Sequence, residues 1–504
     1  MIKIEYTPVM SRIIGDLAPE YVRDMDTIMS FQMSGAEYSD KYLTGEWDGY
    51  KHYFSTKTKK FRSGLLLTAM KYLDEVGVQY EPVVIPKWQR LIQRGDYELR
   101  PHQVTCVDAM FNWPRGIIQS PPRSGKTMIA SAFLDQSRLF PAIFLCNSLD
   151  IASQTLEAFK RFIPGVEFGF VGDDEFRLAD ITIATVQSAI MAYEVAYKMK
   201  HIAKRKAQGR AGGKGYARIG TKNELTEEQR FNFRNYFESC QTVIYDECHH
   251  SQSQTAVFLY DKIRAAKAIF GLSATPNYGR PEDMIIEATI GTVISKVSYS
   301  ELISQGYLLP PKIFVYNLPK VNCSSRMYKT VYKEAVSHNP FRNLLIARIS
   351  RKLNQMGKTV LIVVDELEHG RLIRALYKEA ICLYGEADLD YRNDVKDKLN
   401  QGELKCVIST LWDEGADIPG LNYVINAAGG ASPVATFQRL RSITPNPDDP
   451  GKWYGGVIDF KHSEKHLISH CAFRRKQYEG ELDFEIIDRD VHTWTIADIQ
   501  REFK

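Results

Sequence analysis

No stretch of the 504 residues is apolar for the ~20 positions a bilayer-crossing helix needs. The opening Met1-Ile-Lys-Ile-Glu-Tyr6 also lacks the charged-then-apolar layout of a secretory signal. No membrane partner is expected, and the cytoplasm is the expected compartment. Cysteine is sparse: Cys106, Cys146, Cys240, Cys248, Cys323, Cys382, Cys406 and Cys471 include no C-x-x-C pair, and several fall in apolar strand-like runs. They read as small buried hydrophobes under reducing conditions rather than as a disulfide framework. An excess of one charge is missing too. Sixty-five Lys and Arg against 61 Asp and Glu leave +4, too little to prove a nucleic-acid partner, so its distribution has to carry that argument. With 44% hydrophobic and 25% charged residues the composition is that of a globular protein, and the length asks for three or four domains.

What is present centres on Ser120-Pro-Pro-Arg-Ser-Gly-Lys-Thr127, between the apolar Ile117-Ile118 and the helix-favouring Met128-Ile-Ala-Ser-Ala132. A strand, a tight loop and a helix start turn backbone N–H groups and the helix dipole toward a phosphate. Ser124 and Gly125 belong to the loop, Lys126 is placed to reach the β- and γ-phosphates, and Thr127 to ligate Mg²⁺. Ser120 replaces the glycine that usually opens the pattern, so the match is to its second half. A surface loop that happens to read Gly-Lys-Thr is the alternative. Upstream, Tyr97-Glu-Leu-Arg-Pro-His-Gln103 brings an aromatic, Arg100 and an amide; Gln103, 22 residues before Gly125, has the donor and acceptor for an adenine edge. Downstream, the apolar Thr242-Val-Ile-Tyr245 ends in Asp246-Glu247, 120 residues after Lys126 for the first carboxylate. Asp246 is suited to hold Mg²⁺ through water and Glu247 to polarise the attacking water. Ser273-Ala274-Thr275 ends another strand, its hydroxyls placed to couple a nucleotide site to a nucleic-acid track.

Ala142–Cys146 and Ile181–Thr185 read as buried parallel strands. Ser148, Gln154, Thr185 and Gln187 follow them, where such sheets bind ligands, and are candidates for a sugar-phosphate backbone. Residues 198 to 222 hold nine Lys or Arg, five Gly and no acid. Such a segment reads as a flexible basic arm, with Lys204, Arg205 and Lys206 as DNA contacts; a solvated loop without a role is the alternative. Residues 1 to 95 form a separate unit. In it Lys41–Phe54 alternates as strands about a turn at Asp48-Gly49, the aromatics form mostly core, and Lys57, Lys59 and Lys60 are the better candidates for DNA. Leu65–Val76 has helical spacing, and residues 82–86 read as a linker.

Gln103, Gly125-Lys126-Thr127, Asp246-Glu247-Cys248-His249 and Ser273-Ala274-Thr275, in this order, resemble the motifs of superfamily 2 helicases of the DEAD/DEAH-related kind. Thr359–Val364 followed by Glu368-His369-Gly370 resembles their fourth motif. Tyr384-Gly385-Glu386 ahead of Arg392 resembles the loop and helix after it, and Val407–Pro419 resembles the fifth. The resemblance covers residues 96 to 465. It implies that His369 and Thr410 touch nucleic acid and that Gly415 and Asp417 face the nucleotide. Tyr42, Gly45, Trp47-Asp48-Gly49 and the basic tract after them are similar to the front domain of UvsW-type recombination helicases of tailed phages. That implies ATP-driven branch migration and fork regression in recombination, repair and replication, within the host cytoplasm. The sixth motif departs from Gln-x-x-Gly-Arg-x-x-Arg: the chain has Gln438-Arg-Leu-Arg441-Ser-Ile-Thr-Pro445. A one-residue deletion restores Arg441 as the finger on the γ-phosphate, helped by Arg439, and leaves the last arginine slot empty.

The expected fold class is therefore α/β: two tandem RecA-like domains, at 96–308 (with a basic insertion at 195–235) and 309–465, behind a small α+β N-terminal domain at 1–95 and ahead of a tail at 466–504. ATP and Mg²⁺ are the expected ligands, held between the two RecA-like domains. Branched or forked DNA is the expected partner, with a single strand in the motor channel. The chain is expected to be monomeric, with recombination proteins as further candidates. A double-strand translocase that separates no strands, a nucleotide-gated clamp with little turnover, and an RNA helicase stand as alternatives. In the tail, His462, His466 and His470 recur at helical spacing beside Cys471; a solvated helix face is preferred over a zinc site.

Overall fold

The computed structural model describes residues 1–173, 175–193, 225–276, 280–384, 387, 389–410, 418–430, 440, 444–445 and 451–503. They fall into two compact units, Met1–Pro121 with Gly125–Val297, and Ser298–Lys504 with Pro122–Ser124.

The first unit opens with a small α+β module. Strands β1 (Lys3–Glu5) and β2 (Met10–Ile14) come first; the hairpin of β3 (Ser30–Gln32) and β4 (Tyr50–His52) precedes β5 (Lys60–Arg62). β1, β2 and β5 form an antiparallel sheet. Ile4, Ile13, Met25, Phe54, Phe61 and Leu73 close its core. The turn at Asp48-Gly49 is present: Gly49 has φ 85, and Asp48 accepts the Tyr50 N–H. The strand alternation expected before it is not, because Asp40–Leu43 is a helical turn whose last two backbone N–H groups bond back to Ser39. Of the aromatics, Phe54 is core while Tyr42 and Tyr50 lie on the surface.

The module is not a separate body. Gly64 lies so close to the backbone of Glu287 and Ala288 that a Cβ there would clash, and the Arg115 guanidinium donates to the Pro8 carbonyl at 2.7 Å. The segment read as a linker leads into a strap laid on the Lys126–Ser137 helix, with Trp88 edge-on to Phe133 and Leu91 N–H on the Gln136 carbonyl.

The main sheet contains β6 (Arg115–Gln119), β7 (Ala142–Cys146), β8 (Phe168–Gly172), β9 (Glu175–Arg177), β10 (Ile181–Thr185), β11 (Thr242–Asp246), β12 (Ala268–Ser273) and β13 (Val293–Lys296), in the order β13-β6-β12-β11-β7-β10-β8-β9. Every pair but β8–β9 is parallel. Helices cover both faces of such a sheet, which is why β7, β10 and β12 are buried throughout. Residues 227–235 of the expected insertion belong to the Glu227–Ser239 helix, which buries Phe233 and Phe237 in the core; residues 194–224, with Lys204, Arg205 and Lys206, lie outside the described residues.

The second unit is a fully parallel sheet of β14 (Pro311–Asn317), β15 (Val360–Val363), β16 (Ile381–Leu383), β17 (Cys406–Ser409), β18 (Tyr423–Asn426), β19 (Gly455–Lys461) and β20 (Glu485–Asp490), in the order β16-β17-β15-β18-β19-β14-β20. The segment after 465, expected as a tail, is built into it: β20 pairs with β14, and Ile499 and Phe503 join the core. Arg474 explains why that segment stays. Its guanidinium is buried and grips the Asp459 carboxylate on β19 at 2.7 and 2.9 Å. The three histidines do not line a solvated helix face. The helix begins at Leu467, and His462 is buried ahead of it, 3.5 Å from Glu464. Among the described residues no His, Cys, Asp or Glu cluster could hold a metal ion.

Candidate nucleotide site

β6, β12 and β11 are neighbours, with Gln119 level with Ser273 and Leu272 level with Asp246. Parallel strands in that register end together, so the loop after β6, the acidic pair after β11 and the hydroxyls after β12 meet at the carboxyl edge of the sheet. The Ser120 N–H donates to the Ser273 carbonyl at 3.0 Å, fixing the loop's origin. Arg123 and Gly125 then take left-handed φ of 72 and 81, which bends the loop before the helix starts at Lys126. Gly125 is the one position there that cannot carry a side chain: its Cβ would sit 2.3 Å from the Gln103 amide nitrogen. The long-range spacing of Gln103 and Gly125 thus becomes a direct contact. Gln103 is buried, and its oxygen accepts the Arg100 N–H at 3.0 Å, closing the first turn of Pro101–Asn112.

The Lys126 ammonium donates to a Glu247 oxygen at 2.8 Å. Burial works against both charges, but each stabilises the other. Lys126 is held above the usual lysine range by Glu247 and Asp246, and Glu247 below the usual carboxylate range by Lys126 and His249. The pair is thus fully charged at neutral pH. Glu247 itself sits at φ 48, an uncommon conformation for a residue with a Cβ and the kind of strain that accumulates at functional positions. His249 links this carboxylate to the third strand: its Nδ1 lies 3.4 Å from Glu247 Oε2 and shares a 3.0 Å hydrogen bond with Ser273 Oγ.

One supporting residue is not legible from motif reading. Asp135, fully buried in the Lys126–Ser137 helix, accepts the Arg94 and Gly95 N–H groups, at 2.9 and 3.0 Å, and the Tyr97 hydroxyl, and pairs with Arg138. It pins the strap that carries Tyr97 to the helix that carries Lys126. The available signal was an aspartate in an otherwise apolar helix face, Ala132-Phe-Leu-Asp-Gln136.

The residues expected on nucleic acid divide. Ser148 caps the Leu149–Phe162 helix by accepting the Ile151 N–H, and Thr185 is buried, bonded to Ser188. Gln154 is exposed and Gln187 and Thr410 are half-buried. His369 is a correction: it is fully buried, hydrogen-bonded to Asn343 at 2.9 Å, and burial together with Arg342 and His338 pushes its pKa down to about 3. A neutral core imidazole cannot meet a phosphate. Lys57 and Lys60 are exposed, whereas Lys59 reaches back to the Gly15 carbonyl at 2.7 Å. Gly415, Asp417, Gln438 and Arg441 lie outside the described residues.

Residues 96–278 match the family model described as type III restriction enzyme, res subunit. The DNA 3'-5' translocase XPB2 of Sulfurisphaera tokodaii is 22% identical over 452 residues, 81% of this chain and 92% of that protein. The ATP-dependent DNA helicase uvsW of Enterobacteria phage T4 is 22% identical over 220 residues, 42% of this chain and 44% of that protein. Among solved structures, the ATP-dependent Type ISP restriction-modification enzyme LlaBIII bound to DNA superposes with a TM-score of 0.52 at 12% identity, covering 82% of this chain and 33% of that one. At that identity the likeness is one of fold.

Proposed function

We propose, from the premise that this chain is a superfamily 2 helicase, that it is an ATP-driven motor acting on branched DNA. The observation that carries the ATPase part is the 2.8 Å contact between Lys126, after β6, and Glu247, after β11, the two strands that flank β12. In turnover Lys126 exchanges Glu247 for phosphate oxygens, which releases the carboxylate to orient the attacking water. Gly125 and the N–H groups at the helix start receive the phosphates, and Tyr97, Arg100 and Gln103 receive the base. Thr127 and Asp246 are the residues that would hold Mg²⁺, which neutralises charge on the phosphates when bound. The oxygen ligands and the exclusion of a Cβ at Gly125 fit that assignment. By its motif position Arg441 is assigned the positive charge for the transferring phosphate, and Gln438 belongs to the same motif.

Relatives named as a DNA translocase and a DNA helicase support DNA as the track. The nine Lys or Arg and absence of acid in residues 198–222, with the exposed Lys57 and Lys60, support a grip on duplex arms beside it. Gln154, Gln187 and Thr410 remain the backbone contacts of this reading. The match to a restriction-enzyme subunit favours duplex translocation without strand separation as a second reading.

ATP hydrolysis, strand displacement and displacement of a duplex-bound protein, measured together on a fork, a four-way junction, blunt duplex and single-stranded DNA, separate the two. Branched-DNA action predicts strand displacement on the first two substrates and its loss in Lys126→Ala. Protein displacement on blunt duplex with no strand separation anywhere selects the second reading.

A further inference from the structure

We propose that the amino-terminal module, residues 1–81, is a fixed lever of the motor rather than a tethered grip, and that Tyr260 and Glu282 are the positioning residues joining it to the ATPase site. The proposal rests on the helicase reading above.

Glu247 is the residue from which a continuous constrained stretch departs. It precedes the helical turn Cys248–Gln252, after which Ser253 caps the Gln254–Tyr260 helix by accepting the Ala256 N–H. From the catalytic carboxylate to Tyr260 there is no segment free to absorb a displacement. The far end of that stretch touches the module directly, and the near end reaches it through Asp283 and Glu282. At the far end the buried Tyr260 ring meets two guanidinium groups, Arg62 of the module at 5.4 Å and Arg115 of β6 at 5.6 Å from its centroid. Its hydroxyl receives Arg115 at 3.0 Å and lies 3.1 Å from the Pro8 carbonyl. Arg62 also pairs with Asp261, the next residue.

At the near end Gln252 donates to Asp283 at 3.0 Å. The neighbouring Glu282 accepts both the backbone N–H, at 3.3 Å, and the hydroxyl of Ser34, at the start of the hairpin loop. One direct contact, at Tyr260, and one relayed contact, through Asp283 and Glu282, therefore connect the module to the stretch that begins at Glu247. A swinging domain needs neither a buried ring held by two guanidinium groups nor a charged contact to a hairpin loop. A lever needs both, because one contact alone leaves a pivot.

Spatial connection is not coupling, and a double-mutant cycle in the full-length protein measures the difference. Turnover number and KM for ATP are determined without DNA, and turnover number and half-saturating DNA concentration with a fork, for Ser34→Ala, Glu282→Ala, their combination, and Tyr260→Phe, with melting temperatures as a check of folding. The lever predicts DNA-free turnover within about two-fold of the parent. It predicts turnover at saturating fork about five-fold lower or more. Ser34→Ala and the double variant should match, and Tyr260→Phe should act in the same direction. A raised half-saturating DNA concentration with full stimulated turnover makes the module a tether and overturns the proposal. Equal loss with and without DNA makes the contacts merely structural and overturns it too. A parent protein that fork DNA does not stimulate overturns the helicase reading and the lever with it.

Discussion

Gly125 is the residue on which the phosphate loop turns. A methyl group there meets the Gln103 amide and must also hold a left-handed φ. The conformational part alone costs about 1–2 kcal/mol. Gly125→Ala is expected to weaken ATP binding at least about ten-fold, by titration of a fluorescent ATP analogue. The two buried histidines of the second unit set a pH dependence with a defined sign. Burial, with Arg342 close by, depresses His369 to about 3 and His462 to about 4. The unfolded chain therefore binds more protons than the native one below the ordinary histidine pKa of roughly 6.5. Stability is full above that value and falls as the pH drops toward 4. Denaturant titrations across that range should show the fall, and His369→Gln should flatten part of it.

At the scale of elements, the strap and the loop–helix are one construction joined by Asp135. Removing that carboxylate orphans two N–H groups and takes the ion-pair partner from the half-buried Arg138, which keeps only the Asp135 and Pro164 carbonyls. Asp135→Ala should cost roughly 3 kcal/mol in urea unfolding. It should also raise KM for ATP more than it lowers turnover, since Tyr97 loses its anchor while Lys126 and Glu247 remain. The strands were readable because parallel strands covered on both faces are short, largely apolar, β-branched-rich runs: Ala142–Cys146, Ile181–Thr185 and Thr242–Asp246 stand where those runs place them. Helical spacing misled at His462, since spacing reports a face only after a helix has been shown to exist, and the helix starts five residues later. His369 was misplaced for a related reason. A motif position says which loop a residue follows, whereas its burial is decided by Asn343 from another helix.

For the whole molecule, the sequence order of motifs anticipated two parallel-dominated sheets; the direct contact of Lys126 with Glu247, at the ends of the two strands that flank β12, was not part of that reading. It did not anticipate that the front module belongs to the first unit, or that residues 466–503 complete the second. Those joins depend on Tyr260 between Arg62 and Arg115 and on Arg474 against Asp459, pairings between residues far apart in sequence that no local pattern announces.

The central claim is that Lys126 and Glu247 hold and hydrolyse ATP in response to DNA. It is tested most directly by phosphate release from the purified chain with and without forked duplex, set beside Glu247→Gln. The account predicts DNA-stimulated release in the parent, and in the variant a loss of about a hundred-fold or more with ATP binding retained. Release that ignores DNA, or that survives intact without the Glu247 carboxylate, would contradict it.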